Sequence, residues 1–167
     1  MSELSVGQLK GLPVNSNVVT VPAGHKLYAP GHVLQVVQAT TTTQTSTTST
    51  SFVDTALTAS ITPSSTSSKV LIIVDAVMEI ASSAEMWSTI FRGTVTGTNL
   101  GNGNSGFGRI YMPVSQANTF LSISYLDSPS TTSSQQYMLA IRRAAGGTVY
   151  ANANAATSTM TLMEIAA

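Results

Sequence analysis

The residues able to do chemistry are few. The 167-residue chain has two histidines, seven acidic residues, seven basic residues and no cysteine. Without thiols there is no disulfide framework, no thiolate nucleophile and no thiolate metal site. The redox compartment is therefore not readable from the sequence. A Ser-His-Asp site would have to use His25 or His32. Both sit in or beside a stretch broken by glycine and proline, a poor rigid platform for catalysis. As metal ligands they lack a third and fourth partner within one chain. Three copies of one histidine could converge only on the axis of a symmetric trimer.

Asp75, Glu79 and Glu85 form the best carboxylate group. Asp75 and Glu79 project from one face of one extended segment, four residues or roughly 13 Å apart by strand rise. That separation exceeds the span of a glycosidase pair. Ion pairing with Arg92, Arg142 or Arg143 is the expectation, within a sheet or across a subunit boundary. Gly101-x-Gly103-x-x-Gly106 formally matches a dinucleotide fingerprint. That motif needs a helix to start inside it, so that helix N–H groups meet the pyrophosphate. Here FGRIYMPV follows, which reads as a strand. Ser105 lies among glycines but forms no G-x-S-x-G elbow. No motif is specific for an enzyme. The expectation is no catalytic residue, no cofactor and no metal.

The elements that must position these residues are strands. Lys69 to Ile80, KVLIIVDAVMEI, is the longest apolar run. Val70, Ile72, Val74, Ala76, Met78 and Ile80 fall on one face, and β-branched residues are frequent, so a central strand is expected. The other face is apolar at its start and charged at its end, so it is expected to be covered for part of its length. Further strands are expected over 32–38, 52–61, 86–92, 107–114, 119–126, 135–143, 148–150 and 160–165. Loops rich in serine, threonine, asparagine and glycine separate them. The tract 39–51 is uncharged and Thr-rich, either a polar edge strand or a surface loop. No helix is convincing. The fold expected is all-β, an antiparallel β-sandwich or jelly roll. Its core should hold Val70, Ile72, Val74, Leu121, Ile123, Tyr137, Leu139 and Ile141.

Residues 1–31 differ from the rest. Gly7, Gly11, Pro13, Pro22, Gly24, Pro30 and Gly31 interrupt short apolar pieces, each too small for a core. The division expected is an extended N-terminal attachment arm, 1–31, and a β head, 32–167. Leu4, Val6, Leu9, Leu12, Val19, Val21, Leu27 and Tyr28 are the arm residues expected to fill pockets on a partner or on neighbouring subunits.

Formal net charge is zero and 8% of residues are charged, against roughly 25% in an ordinary domain. The basic excess needed to hold nucleic acid is missing. No stretch is long and apolar enough for a membrane-spanning helix, and the N-terminus lacks the pattern of a signal peptide. A surface of hydroxyls and amides is poorly protected against self-association. Life inside an assembly is the expectation.

The pieces TVPAGHKLYAPG, VLQVVQ, SFVDT and ITPSSTSSKVLI, in this order, resemble a module of tail-fibre and other virion proteins of bacteriophages, especially phages of cyanobacteria and marine bacteria. The closing stretch QQYMLAIRRAAGGTVYANANAATSTMTLMEIA is similar to the end of the same module. The resemblance implies a β-sandwich or jelly-roll head on the outer surface of the particle, trimeric and carried by an N-terminal attachment segment. Its partners would be copies of itself and the major capsid protein or another virion protein. The chain departs from tail fibres in having no long shaft. Its size suits a capsid decoration (cement) protein or small head fibre. The alternative is a fibre tip that recognises a host surface glycan or protein. A glycan depolymerase is the third reading.

Overall fold

The computed structural model describes residues 29–113 and 115–167. The eight arm residues assigned to attachment, Leu4 through Tyr28, lie outside the described residues, as does His25.

The described chain is almost entirely strand. In order these are β1 Val33–Thr41, β2 Thr45–Thr47, β3 Val53–Ile61, β4 Lys69–Ala81, β5 Glu85–Arg92 and β6 Thr98–Asn99. Then come β7 Gly108–Tyr111, β8 Gln116–Asp127, β9 Gln135–Ala145, β10 Val149–Ala151 and β11 Ser158–Ile165. A short 3-10 turn, Ala153–Ala155, precedes β11. The strand expected over 107–114 is trimmed to β7, because the chain leaves the sheet before Pro113, which has no N–H to give a ladder.

Two antiparallel sheets pack as a sandwich. In the first, β4 is central. Its one edge pairs with β8 along Val70–Ala81. Its other edge pairs with β11 over Lys69–Asp75 and with β10 over Met78–Ile80. Outside these lie β1 on β11 and β2 on β10. In the second sheet the order is β3-β9-β5, and β6 and β7 both pair with the far edge of β5.

The alternation expected of β4 places its apolar face in the core. Val70, Ile72, Val74, Met78 and Ile80 are fully buried, and Ala76 nearly so. They meet Leu57 and Ile61 of β3, Ile90 of β5, and Leu139 and Ile141 of β9. Each such side chain contributes on the order of 2 kcal/mol by leaving water. Seven of the eight expected core residues are buried. Leu121 is the correction: it lies half-buried near the open side of the sandwich, because β8 is an edge strand. On the outward face of β4 the covered residue is Glu79, and Asp75 is exposed. Leu71, Ile73 and Val77 stay half-open.

Two local devices shape the sheets. Ala29–His32 closes a β-turn, with the His32 N–H donating to the Ala29 carbonyl at 3.0 Å. Pro30 sets φ at the second position and Gly31 takes φ +80 at the third, the requirement of a type II turn. The Gly31 N–H then donates to the Ala166 carbonyl, so the pairing of β1 with β11 is extended through this turn. In β3 the register with β9 shifts between Asp54 and Thr58. There the Thr55 hydroxyl donates to the Leu139 carbonyl at 2.7 Å and accepts the Leu57 N–H at 3.2 Å. A side chain thus replaces the ladder bonds lost at the bulge.

Candidate functional site

Two buried carboxylates, Asp127 and Glu164, are engaged by donors of the fold. Asp127, on the inward face of β8, accepts two bonds from Arg92, at 3.0 Å from Nε and 2.6 Å from Nη2. It also accepts the Tyr137 hydroxyl at 2.7 Å. The hydrogen bonds to Asp127 raise the Arg92 pKa. Burial raises the Tyr137 phenol pKa, and Asp127 adds to it. Glu164 of β11 is 1% exposed. Burial alone would raise its pKa, but bonds from Ser64, Gln35 and Ser68 and from the Ser64 backbone N–H hold it at about 2. These are structural networks: each carboxylate is saturated by donors of the fold.

The carboxylates singled out from the sequence take other partners than expected. Glu85 pairs with Arg109, 2.7 Å away across the β5–β7 ladder. Glu79 accepts from Gln116 at 2.9 Å. Asp75 is exposed between Thr159 and Ser122. None of the three meets Arg92, Arg142 or Arg143 in an ion pair among the described residues. The reason is register: Glu85 faces Ala145 and Tyr111 rather than an arginine of β9. His32 is exposed. Among the described residues, no three acidic or histidine side chains cluster as a metal site would need.

The glycine string turns out to be a packing device. An added Cβ at Gly106 would lie 2.1 Å from the Ser88 carbonyl oxygen, and one at Gly101 would lie 2.7 Å from the Gly106 carbonyl carbon. The tip loop closes through the Asn102–Gly106 bridge and sits on β5, with the Phe107 N–H donating to Ser88 at 2.8 Å. A strand follows, as expected, and no helix begins there.

That loop builds one wall of a groove of about 460 Å³ on the outer face of the second sheet. Phe52, Phe91, Thr50, Ser51, Val95 and Asn104 line it with Gly103 and Arg142. Phe52 and Phe91 meet edge to face, 5.9 Å between centroids. The Arg142 guanidinium lies 5.5 Å from the Phe52 ring centre and 5.9 Å from that of Trp87. It donates from Nε to the Asn104 carbonyl at 2.9 Å, from Nη2 to the same carbonyl, and from Nη1 to Thr50. Arg142 therefore clamps two loops to the sheet and is a poor free anion receptor. What remains in the groove is hydroxyl, amide and ring surface. That chemistry suits a neutral polar ligand.

The second surface is β8 and the outward face of the first sheet. Phe120 is 86% exposed, Val36 56% and Leu126 47%. Val36, Met163, Leu71 and Leu126 stand in one register row across four strands. Along β8, Leu121, Ile123 and Tyr125 alternate with Ser122 and Ser124 and form its apolar face. Phe120 and Leu126 share the opposite parity with Ser122 and Ser124, and that break in alternation is the signal that marks this surface.

No protein-family model matches the chain, and no curated protein matches it. Among solved structures it is similar to the VP2 subviral particle of infectious bursal disease virus, at 13% identity and TM-score 0.45 over 89% of this chain and 38% of that one. It is also similar to a mutant VP2 protein of that virus in derived T=1 particles, at 12% identity and TM-score 0.43 over 90% of this chain and 41% of that one. The chain thus spans about two-fifths of the length of these neighbours, and the likeness is a loose one of chain path.

Proposed function

We propose that this chain is a structural protein on the exterior of a bacteriophage particle, a capsid decoration protein or small head fibre, with no catalytic role. The observation that carries the reading is the β8 surface. An 86% exposed phenylalanine and a half-exposed leucine on the same face of one strand, in a neutral chain with 8% charged residues, make a surface suited to contact with protein. The ordered pieces from TVPAGHKLYAPG to ITPSSTSSKVLI support the phage setting by resemblance. Attachment to the major capsid protein or another virion protein runs through residues 1–31, where Leu4, Val6, Leu9, Leu12, Val19, Val21, Leu27 and Tyr28 supply apolar anchors. Short extended segments there can add to an exposed strand edge of the partner. Copies of the head associate, and the resemblance favours closure about a three-fold axis.

Two measurements test this. Gel densitometry of purified particles should find the chain in copies comparable to the capsid lattice. Full-length chain should rebind particles that lack it, and a chain starting at Gly31 should not. Equal occupancy by both would remove the arm from attachment.

The groove favours a second reading, a fibre tip that recognises a host glycan. Aromatic rings beside hydroxyls and a carboxamide, with the one guanidinium bound up in structure, suit neutral sugar chemistry. Binding to neutral oligosaccharides on an array, abolished by filling the groove with Gly103→Trp, together with only a few dozen copies per particle, would favour the tip.

A further inference from the structure

We infer that β8 is the docking edge for a second copy of this chain, paired antiparallel to itself about a two-fold axis at Ile123. Among the described residues, β8 pairs with β4 on one side and with no strand on the other. A free edge twelve residues long presents a row of backbone N–H and C=O groups. Natural edges of that length are blunted by lysine, proline or a bulge. Gln116–Asp127 contains no lysine, arginine or proline, and its register with β4 runs without a shift. Its one charge, Asp127, points inward and is held by Arg92 and Tyr137. Nothing on this edge repels another strand.

The occupant follows from the exposed pattern. Two-fold antiparallel pairing keeps outward side chains beside outward ones. With Ile123 opposite the partner's Ile123, Phe120 faces the partner's Leu126, and Leu126 faces the partner's Phe120. Ser122 then faces the partner's Ser124. On the inward side the half-buried Leu121 faces the partner's Tyr125. Moving the centre to Ser122 sets Phe120 against serine and Leu126 against asparagine. Moving it to Ser124 sets both against serine. Only the Ile123 register brings the two exposed apolar side chains together.

That register also joins the apolar rows. Leu126 continues the row Val36–Met163–Leu71 on its own sheet, and Phe120 is in register with Val77. Pairing runs the first row into the partner's Phe120 and the partner's Val77, and symmetry repeats it. Each Phe–Leu pair is a cross-strand contact of the kind that stabilises sheets. This contact does not depend on the particle setting. Where three-fold closure also holds, it pairs two trimers into one closed hexamer.

Full-length chain tests it. Because the chain has no cysteine, Ser122→Cys/Ser124→Cys adds the only thiols. Mild oxidation at micromolar concentration should convert it to a reducible covalent dimer, while Thr40→Cys, exposed on the opposite edge of the sheet, should not form one. In sedimentation, the unmodified chain should have an even multiple of the chain mass, and Phe120→Lys should halve it. The circular dichroism of Phe120→Lys should be unchanged, because Phe120 lies outside the core, and its melting temperature should lose only its dependence on protein concentration. Failure of the paired cysteines to cross-link, equal cross-linking of Thr40→Cys, or a mass unaltered by Phe120→Lys would overturn the inference. A mass that grows without limit would mean head-to-tail edge pairing, which also overturns it.

Discussion

The Tyr137 hydroxyl donates to Asp127 Oδ2 at 2.7 Å, and this bond joins the two sheets through their shared interior. Asp127 belongs to β8 in the first sheet, while Tyr137 on β9 and Arg92 on β5 belong to the second. A carboxylate 4% exposed would be costly to bury alone. The paired guanidinium bonds and the phenol together compensate it. The group therefore holds the open side of the sandwich, where Leu121 and Tyr125 are only half covered.

Asp127→Ala should cost about 3 kcal/mol, toward the low end for a broken buried pair because Arg92 can turn to water. Tyr137→Phe should cost about 2 kcal/mol, since Arg92 still satisfies the carboxylate. A urea double-mutant cycle should return coupling between the two positions. Additive losses would show that the bond contributes nothing beyond packing.

Ile72 is fully buried and Leu121 half-buried, so equal chemistry should have unequal cost. Ile72→Ala should lose about 2–5 kcal/mol. Leu121→Ala should lose about 1 kcal/mol, because less surface returns to water. Denaturant midpoints for the two variants decide it; equal losses would make β8 as well packed as β4.

Acid should expose the role of Glu164. Its carboxyl is held at about 2, below the ordinary 4.5. The folded state thus resists its protonation more than the unfolded state does. The stabilisation is fully present above pH 4.5 and is lost as the pH falls toward 2. Melting temperature should fall through that window, and Glu164→Gln should flatten this part of the profile. The variant should also cost about 1–3 kcal/mol at neutral pH, because donors from Ser64 and Gln35 lose a charged acceptor.

The glycine string should tolerate change unevenly. Gly106 has φ +60, and a Cβ there meets the Ser88 carbonyl oxygen. Gly106→Ala should lose about 1–3 kcal/mol through strain. Gly103 has open space around its missing side chain, so Gly103→Ala should stay within about 0.5 kcal/mol. Thermal melts of the two variants check this, and equal tolerance would remove the packing role of Gly106.

The longer strands and most of the core are legible in the sequence, whereas the short strands Thr45–Thr47 and Thr98–Asn99 are not. Alternation with period two, as in Val70 through Ile80 or Tyr137 through Ile141, is a local property of the extended backbone, and burying one face follows directly from it. The turn at Ala29–His32 was equally local, since proline and glycine each dictate their own φ. Which strands lie side by side is settled by contacts between distant segments. Register is set between segments far apart in the chain, so nothing near Asp127 announces Arg92 or Tyr137, and nothing near Glu164 announces Ser64. Within the chain, Asp75, Glu79 and Glu85 miss Arg92, Arg142 and Arg143 for that reason, and Glu85 takes Arg109 instead. The groove has the same origin, because Thr50, Phe91, Asn104 and Arg142 meet only when two loops close over β5 and β9. The edge position of β8 was likewise decided by strand order. Its trace in the sequence was small: two large apolar side chains, Phe120 and Leu126, standing where the alternation called for polar ones.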